Sequence, residues 1–117
     1  LKALTLPYPP SLNSIWRTWK GRILLSAEGR AYRERSALTA RAAGLKPTEK
    51  HVAMWLHFYR PRRTGDLDNA LKALLDSIRG IAYLDDSQVV ELHAYRFDDK
   101  DNPRVEVEIR EAPEGRP

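Results

Sequence analysis

The sequence predicts a mixed α/β fold in a single domain, with a sheet of about four to five strands packed against two main helices. Three observations lead there. With 117 residues the chain is near the usual size of one domain and too short for two well-packed cores. Two stretches, Ala27 to Ala43 and Leu67 to Gly80, show helical spacing and many helix formers. Around them run short segments rich in β-branched and aromatic residues, alternating with the helices only in part.

Taken in order, Lys2 to Leu6 reads as a strand that stops where Pro7, Pro9 and Pro10 remove backbone donors, and Pro7 to Asn13 as a stiff extended loop. Ile15 to Trp19 and Arg22 to Leu25 flank Lys20-Gly21, a turn whose glycine accepts a positive φ, so a hairpin is expected. Ser26 is a good N-cap and Glu28 suits the first turn of the helix that Gly44 and Pro47 end. Its apolar stripe is expected at Ala31, Leu38 and Ala42, with Ala27 and Tyr32 nearby.

His51 to Arg60 alternates Val52, Met54, Leu56 and Phe58 with Trp55, His57 and Tyr59, which predicts a central strand covered on both faces, with Trp55 in the core. The second helix repeats Leu67, Leu71, Leu74, Leu75 and Ile78 until Gly80 offers a C-terminal cap. Gln88 to Phe97 reads as a strand and Asp98 to Pro103 as a polar hairpin loop. Val105, Val107 and Ile109 then complete a two-stranded antiparallel ending. Residues 1–111 make up the expected domain and 112–117 a flexible tail.

The absence of cysteine excludes thiolate zinc cages, disulfides and thiol nucleophiles, so any metal must be held by oxygen or by the few histidines. His51, His57 and His93 lack ligand spacing and read as structural or surface residues. No stretch is long and apolar enough to span a bilayer, and no signal-peptide pattern is present, although Leu1 leaves room for residues ahead of it. A cytoplasmic protein is expected. The net charge of +4 suits a polyanionic partner. Basic residues crowd the first half of the chain, and Arg60, Arg62 and Arg63 stand just before an acidic cluster.

That cluster, Asp66-Leu67-Asp68-Asn69 followed by Lys72 and later by Asp85-Asp86, suits a hard divalent cation. Phosphodiester hydrolysis needs such an ion to polarise a phosphoryl oxygen and activate water, and magnesium takes one or two carboxylates while keeping several waters. Asp66 and Asp68, two apart on a segment still extended, are expected to point to one side, where their charges repel unless a cation joins them. Lys72 shares a helix face with Asp68 and Asn69, within reach of a phosphate. A plainer alternative remains: Asp68 caps the helix, Asp66 favours its dipole and Lys72 pairs with Asp68 at the surface. Helix length also separates Asp86 from the first pair by roughly 18 Å. Asp86 therefore joins them only if the chain after Gly80 runs back along the helix or the next strand lies beside the motif.

These residues, with Leu84-Asp85-Asp86-Ser87-Gln88-Val89-Val90, the N-terminal Leu6-Pro7-Tyr8-Pro9-Pro10-Ser11 and the helix opening Leu25 to Arg33, resemble the RusA family of Holliday-junction resolvases. The likeness runs in order from Leu4 to Glu111. It implies a RusA-like fold and a homodimeric crossover junction endodeoxyribonuclease, dependent on Mg2+ or Mn2+. Such an enzyme makes paired nicks in opposing strands of four-way DNA during recombination and repair, in a bacterial or phage setting. Carried over by position, the catalytic and metal-binding aspartates fall on Asp66, Asp68 and Asp86 and the essential lysine on Lys72. Asp85 has no assigned role. The sequence departs from the family at Thr64-Gly65, where a continuous basic run is expected, and at Leu12, where a second asparagine is expected.

DNA contacts are assigned to Asn13, Arg17, Lys20, Arg22, Arg62, Arg63 and Asn69. For Trp16 and Trp19, DNA stacking and a subunit surface both stay open, and the arginines of the first helix read mainly as a solvated face. The alternatives are a non-catalytic structure-specific DNA-binding module and, less favoured by the basic balance, a phosphohydrolase of small esters.

Overall fold

The computed structural model describes residues 2–63 and 66–112. The elements are β1 (Lys2–Pro7), α1 (Leu12–Ile15), β2 (Trp16–Trp19), β3 (Arg22–Leu25), α2 (Ala27–Ala42), β4 (Val52–Arg60), α3 (Leu67–Ile78), a 3-10 turn at Asp86–Gln88, β5 (Val89–Asp98) and β6 (Arg104–Glu111). The mixed α/β fold with two main helices is as expected. The short α1, formed where the proline loop ends, and the 3-10 turn, which includes Gln88 where a strand start is expected, have no counterpart among the expected elements. The Thr64-Gly65 departure and residues 113–117 of the expected tail lie outside the described residues. Ala112, the first residue of that tail, is buried and its N–H donates to His51 O at 2.7 Å.

The main sheet has the order β1-β6-β4-β5, and β2 and β3 form the predicted hairpin. β4 and β5 are parallel, so a crossover must join them, and α3 supplies it. β5 and β6 are not neighbours: β6 inserts between β4 and β1, antiparallel to both. The expected two-stranded ending is therefore corrected, because the segment after β5 crosses the end of β4 instead of turning back. Polar ties hold that crossing. Arg60 Nε donates to Asp98 Oδ1 at 2.8 Å, and Arg104 donates to Asp99 Oδ2 at 2.9 Å and to Glu106 Oε2 at 3.0 Å.

Val52, Met54, Leu56 and Phe58 of β4 face the helices and form the core with Leu6, Tyr32, Leu74, Ile78, Tyr83 and the valines of β6. Burying a side chain of the size of Phe58 contributes about 1.5–3 kcal/mol, which is why β4 occupies the centre. The other face carries Trp55, His57 and Tyr59, each half-buried and stacked on its register partner in β5: Trp55 on His93 at 5.1 Å, His57 on Tyr95 at 4.9 Å and Tyr59 on Phe97 at 5.1 Å. Arg104 and Arg110 lie over the Tyr59 and Trp55 rings at 3.8 and 4.7 Å. The expectation that β4 is covered on both faces, with Trp55 in the core, is thus corrected. Aromatic and cation–π stacking stands in for a second layer.

α2 buries Gly29, Tyr32, Ser36 and Ala40, whereas Ala31, Leu38 and Ala42, the expected stripe, face outward. Close approach decides this. A Cβ on Gly29 would lie 2.7 Å from Ile15 O, so small residues form the packed face and a reading by hydrophobicity misses it. Ser26 is the N-cap as predicted, accepting from Gly29 N at 3.0 Å. Two helix arginines serve packing as well: Arg33 donates to Ser77 O at 2.9 Å and Arg30 to Leu25 O at 3.0 Å. No helix among the described residues is long and apolar enough to cross a membrane.

Candidate functional site

The exposed face of α3 presents Asp68, Lys72 and Asp76 at successive four-residue steps, so their side chains rise in one column. Together with Leu71, Leu75 and Asp86 they line an open cleft of about 200 Å³. Lys72 Nζ lies 3.8 Å from Asp76 Oδ2, an exposed cation beside a largely buried carboxylate.

Asp86 reaches the cleft because the chain runs back along α3. Arg79, with extended backbone, ends the helix, and Gly80 then takes φ +84°, a conformation that suits glycine. Its N–H donates to Tyr83 O at 2.6 Å, and Arg79 and Tyr83 form a short parallel bridge. Asp85 then caps the 3-10 turn, its carboxylate accepting from Ser87 N at 3.0 Å and from the Ser87 hydroxyl. Those bonds, the hydroxyl's first, hold the Asp85 carboxyl below the usual carboxylate range.

Gln88 completes the device. Its Oε1 accepts from Leu84 N and Asp85 N, and its Nε2 donates to Thr48 O and Lys50 O, all at 2.8 Å. A buried amide with four bonds thus clamps the loop that carries Asp86 to the segment before β4.

Asp66 is the N-cap residue of α3, and its side chain makes no capping bond. Asp68 lies in the first turn and is not the cap. Among the described residues neither carboxylate has a hydrogen-bond or ion-pair partner, so the helix-cap alternative leaves both unexplained. They line different depressions. Asp66 faces a groove of about 520 Å³ shared with Tyr8, Asn13, Arg62 and Asn69 and with the proline segment, while Asp68 lines the cleft. The expectation that both stand on extended backbone holds only for Asp66, because the helix already begins at Leu67.

Three of the seven residues assigned to DNA, Asn13, Arg62 and Asn69, therefore share one groove. Arg63 is almost fully exposed, 3.9 Å from Asp98 Oδ2. Arg17, Lys20 and Arg22 are exposed on the β2–β3 hairpin, where Lys20 lies 5.5 Å over the Trp19 ring. In the sheet His57 stacks on Tyr95 and His93 on Trp55.

The donor set around the cleft is carboxylate oxygen, which fits a hard cation. Among the described residues no three carboxylate or imidazole groups converge into a ready-made cage. Magnesium does not require one, since it keeps several waters and takes one or two carboxylates.

Residues 7–110 match the family model for endodeoxyribonuclease RusA. The chain belongs to the RusA family. It is 37% identical over 112 residues to crossover junction endodeoxyribonuclease RusA of Escherichia coli strain K12, covering 93% of each chain. The protein of the same name from Enterobacteria phage 82 is 36% identical over 111 residues, covering 92% of each. That from Shigella sonnei strain Ss046 is 36% identical over 112 residues.

Within this RusA-family fold, the sequence reading passed over Asp76 and Gln88. Asp76 could have been found as the next step of the Asp68-Lys72 column. Gln88 could have been found as the end of a capping box opened by Asp85, a pattern that satisfies two orphan backbone donors reciprocally.

Proposed function

We propose that the protein is a divalent-metal-dependent endonuclease that, as a homodimer, binds four-way DNA junctions and resolves them by paired nicks in opposing strands during recombination and repair. The observation that carries this is the cleft shared by Asp68, Lys72 and Asp86 in a chain of the RusA family, whose relatives are named crossover junction endodeoxyribonucleases. Bacterial and phage relatives support action in the cytoplasm of a bacterial host.

Asp68 and Asp86 hold the ion, with Asp66, free at the same helix end, as the third ligand. Mg2+ or Mn2+ bound there supplies Lewis acidity and an activated water. Lys72, restrained by Asp76, offsets negative charge on the scissile phosphate. Asn13, Arg62 and Asn69 guide the strand along the neighbouring groove, while Arg17, Lys20, Arg22 and Arg63 contact the phosphate backbone.

Asp68→Asn tests this. It should abolish magnesium-dependent nicking of a synthetic four-way junction and leave binding intact or tighter, because a charge that repels phosphate is gone. Wild-type nicking in that variant would refute the assignment.

A further inference from the structure

The β2–β3 hairpin forms a sheet of its own, apart from the main one, yet its foot is firmly held. Ile15 is fully buried there, Ser26 N donates to Ile15 O at 2.7 Å and the Ser26 hydroxyl donates to Ser14 O. At the tip Lys20 and Gly21 take φ +49° and +75°, the paired positive values of a tight turn whose twist matches the strands. Such a turn favours asparagine, aspartate or glycine at its first position, so the lysine stands there against a backbone preference.

The tip displays apolar and cationic groups together. Trp19 is 55% exposed and Ile23 74%, beside the exposed Arg17, Lys20 and Arg22, and no acidic residue occurs from 16 to 25. Trp19 and Arg22 are register partners and Arg17 lies two positions before Trp19, so one face of the ribbon sets the indole among two arginines. Neither arginine has an ion-pair partner among the described residues. The hairpin also continues the groove described above: α1 runs straight into β2, and its Asn13 and Ser14 line that groove with Arg62, Asp66 and Asn69.

Cations without a counter-charge suit the phosphate backbone, but backbone contacts alone make no use of an exposed indole. We propose that Trp19 reads the branch point of the junction: its ring stacks on the base pair left without a neighbour where the arms diverge, while Arg17 and Arg22 hold the flanking phosphates. This rests on the junction reading above. Every base has a π face, so such stacking is tolerant of sequence. A linear duplex offers no free face until one of its steps is unstacked, which costs energy. Trp19 therefore separates junction from duplex, whereas the arginines bind both.

Fluorescence anisotropy with a labelled four-way junction and a linear duplex of the same sequence, both in chelator so that nothing is cut, tests this on the full chain. Trp19→Ala should weaken junction binding roughly ten-fold or more, the usual effect of losing one base–aromatic stack, and leave duplex binding unchanged. Trp19→Phe, which keeps a ring, should recover most of the loss. The thermal midpoint should stay near wild type in both, because the side chain is exposed. Arg17→Ala should instead weaken junction and duplex alike and lower the salt dependence of binding by about one phosphate contact.

If the wild type prefers the junction and Trp19→Ala keeps that preference, or loses junction and duplex affinity equally, the role of Trp19 is overturned and the junction reading stands. A Trp19→Ala chain that falls to half the wild-type mass in solution also overturns it, since this face would then be a subunit surface. If the wild type binds the duplex as tightly as the junction, the junction reading fails and the role of Trp19 with it.

Discussion

Asp86 lines the same cleft as Asp68, although the whole of α3 and a reversal at Gly80 lie between them in the chain. Two local devices maintain that relationship, the left-handed glycine that turns the chain and the Gln88 clamp that holds the returning loop.

Gly80 is the first of these. A Cβ there would stand 3.0 Å from Arg33 Nη2, on a backbone at φ +84°. Gly80→Val should therefore destabilise the fold by about 1–2 kcal/mol, the cost of forcing a side chain into left-handed backbone. Urea unfolding measures this, and an unchanged midpoint would show that the reversal does not need glycine.

The clamp makes a different prediction. Gln88→Ala strips partners from four backbone groups, so stability should fall by about 1–3 kcal/mol and the nicking rate with it, since Asp86 loses its fixed position. Junction affinity should stay near wild type. Equal losses in affinity and rate would mean that the loop serves binding instead.

Much of this was legible in the sequence, for identifiable reasons. The alternation of Val52 to Phe58 and the leucine spacing of α3 are strong periodic signals, and Lys20-Gly21 is local turn chemistry. The site motif was visible because Asp66 and Asp68 crowd two like charges. Strand order was not legible, since the insertion of β6 beside β4 depends on long-range pairing that no local signal encodes. Nor was the packed face of α2, where Gly29 answers to the close approach of Ile15 and the buried Ser36 gives no hydrophobic signal. The convergence of Asp86 depended on Gly80 and Gln88 acting together, and each alone reads as an ordinary cap.

Lys72 and Asp76 should separate by magnitude. Lys72→Met should lower the single-turnover nicking rate about a hundred-fold, the usual effect of removing one group that stabilises developing charge. Asp76→Asn keeps the ammonium and loses only its restraint, so its loss should be clearly smaller. Equal losses would instead make Asp76 a ligand in its own right.

Acid stability should report on the ties beside the β5–β6 crossing. The bond from Arg60 holds the Asp98 carboxyl below the usual carboxylate range, and the bond from Arg104 does the same for Asp99. Because the folded values lie below the unfolded ones, this stabilisation is complete above about pH 4 and is lost as pH falls through the depressed folded values. Asp98→Asn should therefore flatten the decline of the thermal midpoint below about pH 4. An identical acid profile in the variant would exclude Asp98 as a contributor.

The central claim is metal-dependent resolution of junctions by this chain, and strand-specific cleavage of a labelled four-way junction beside a linear duplex of the same sequence tests it most directly. With Mg2+ or Mn2+ the wild-type protein should nick two opposing strands of the junction and leave the duplex intact, and chelation should stop the reaction. Absence of cleavage with either metal, or equal cutting of the duplex, would contradict it.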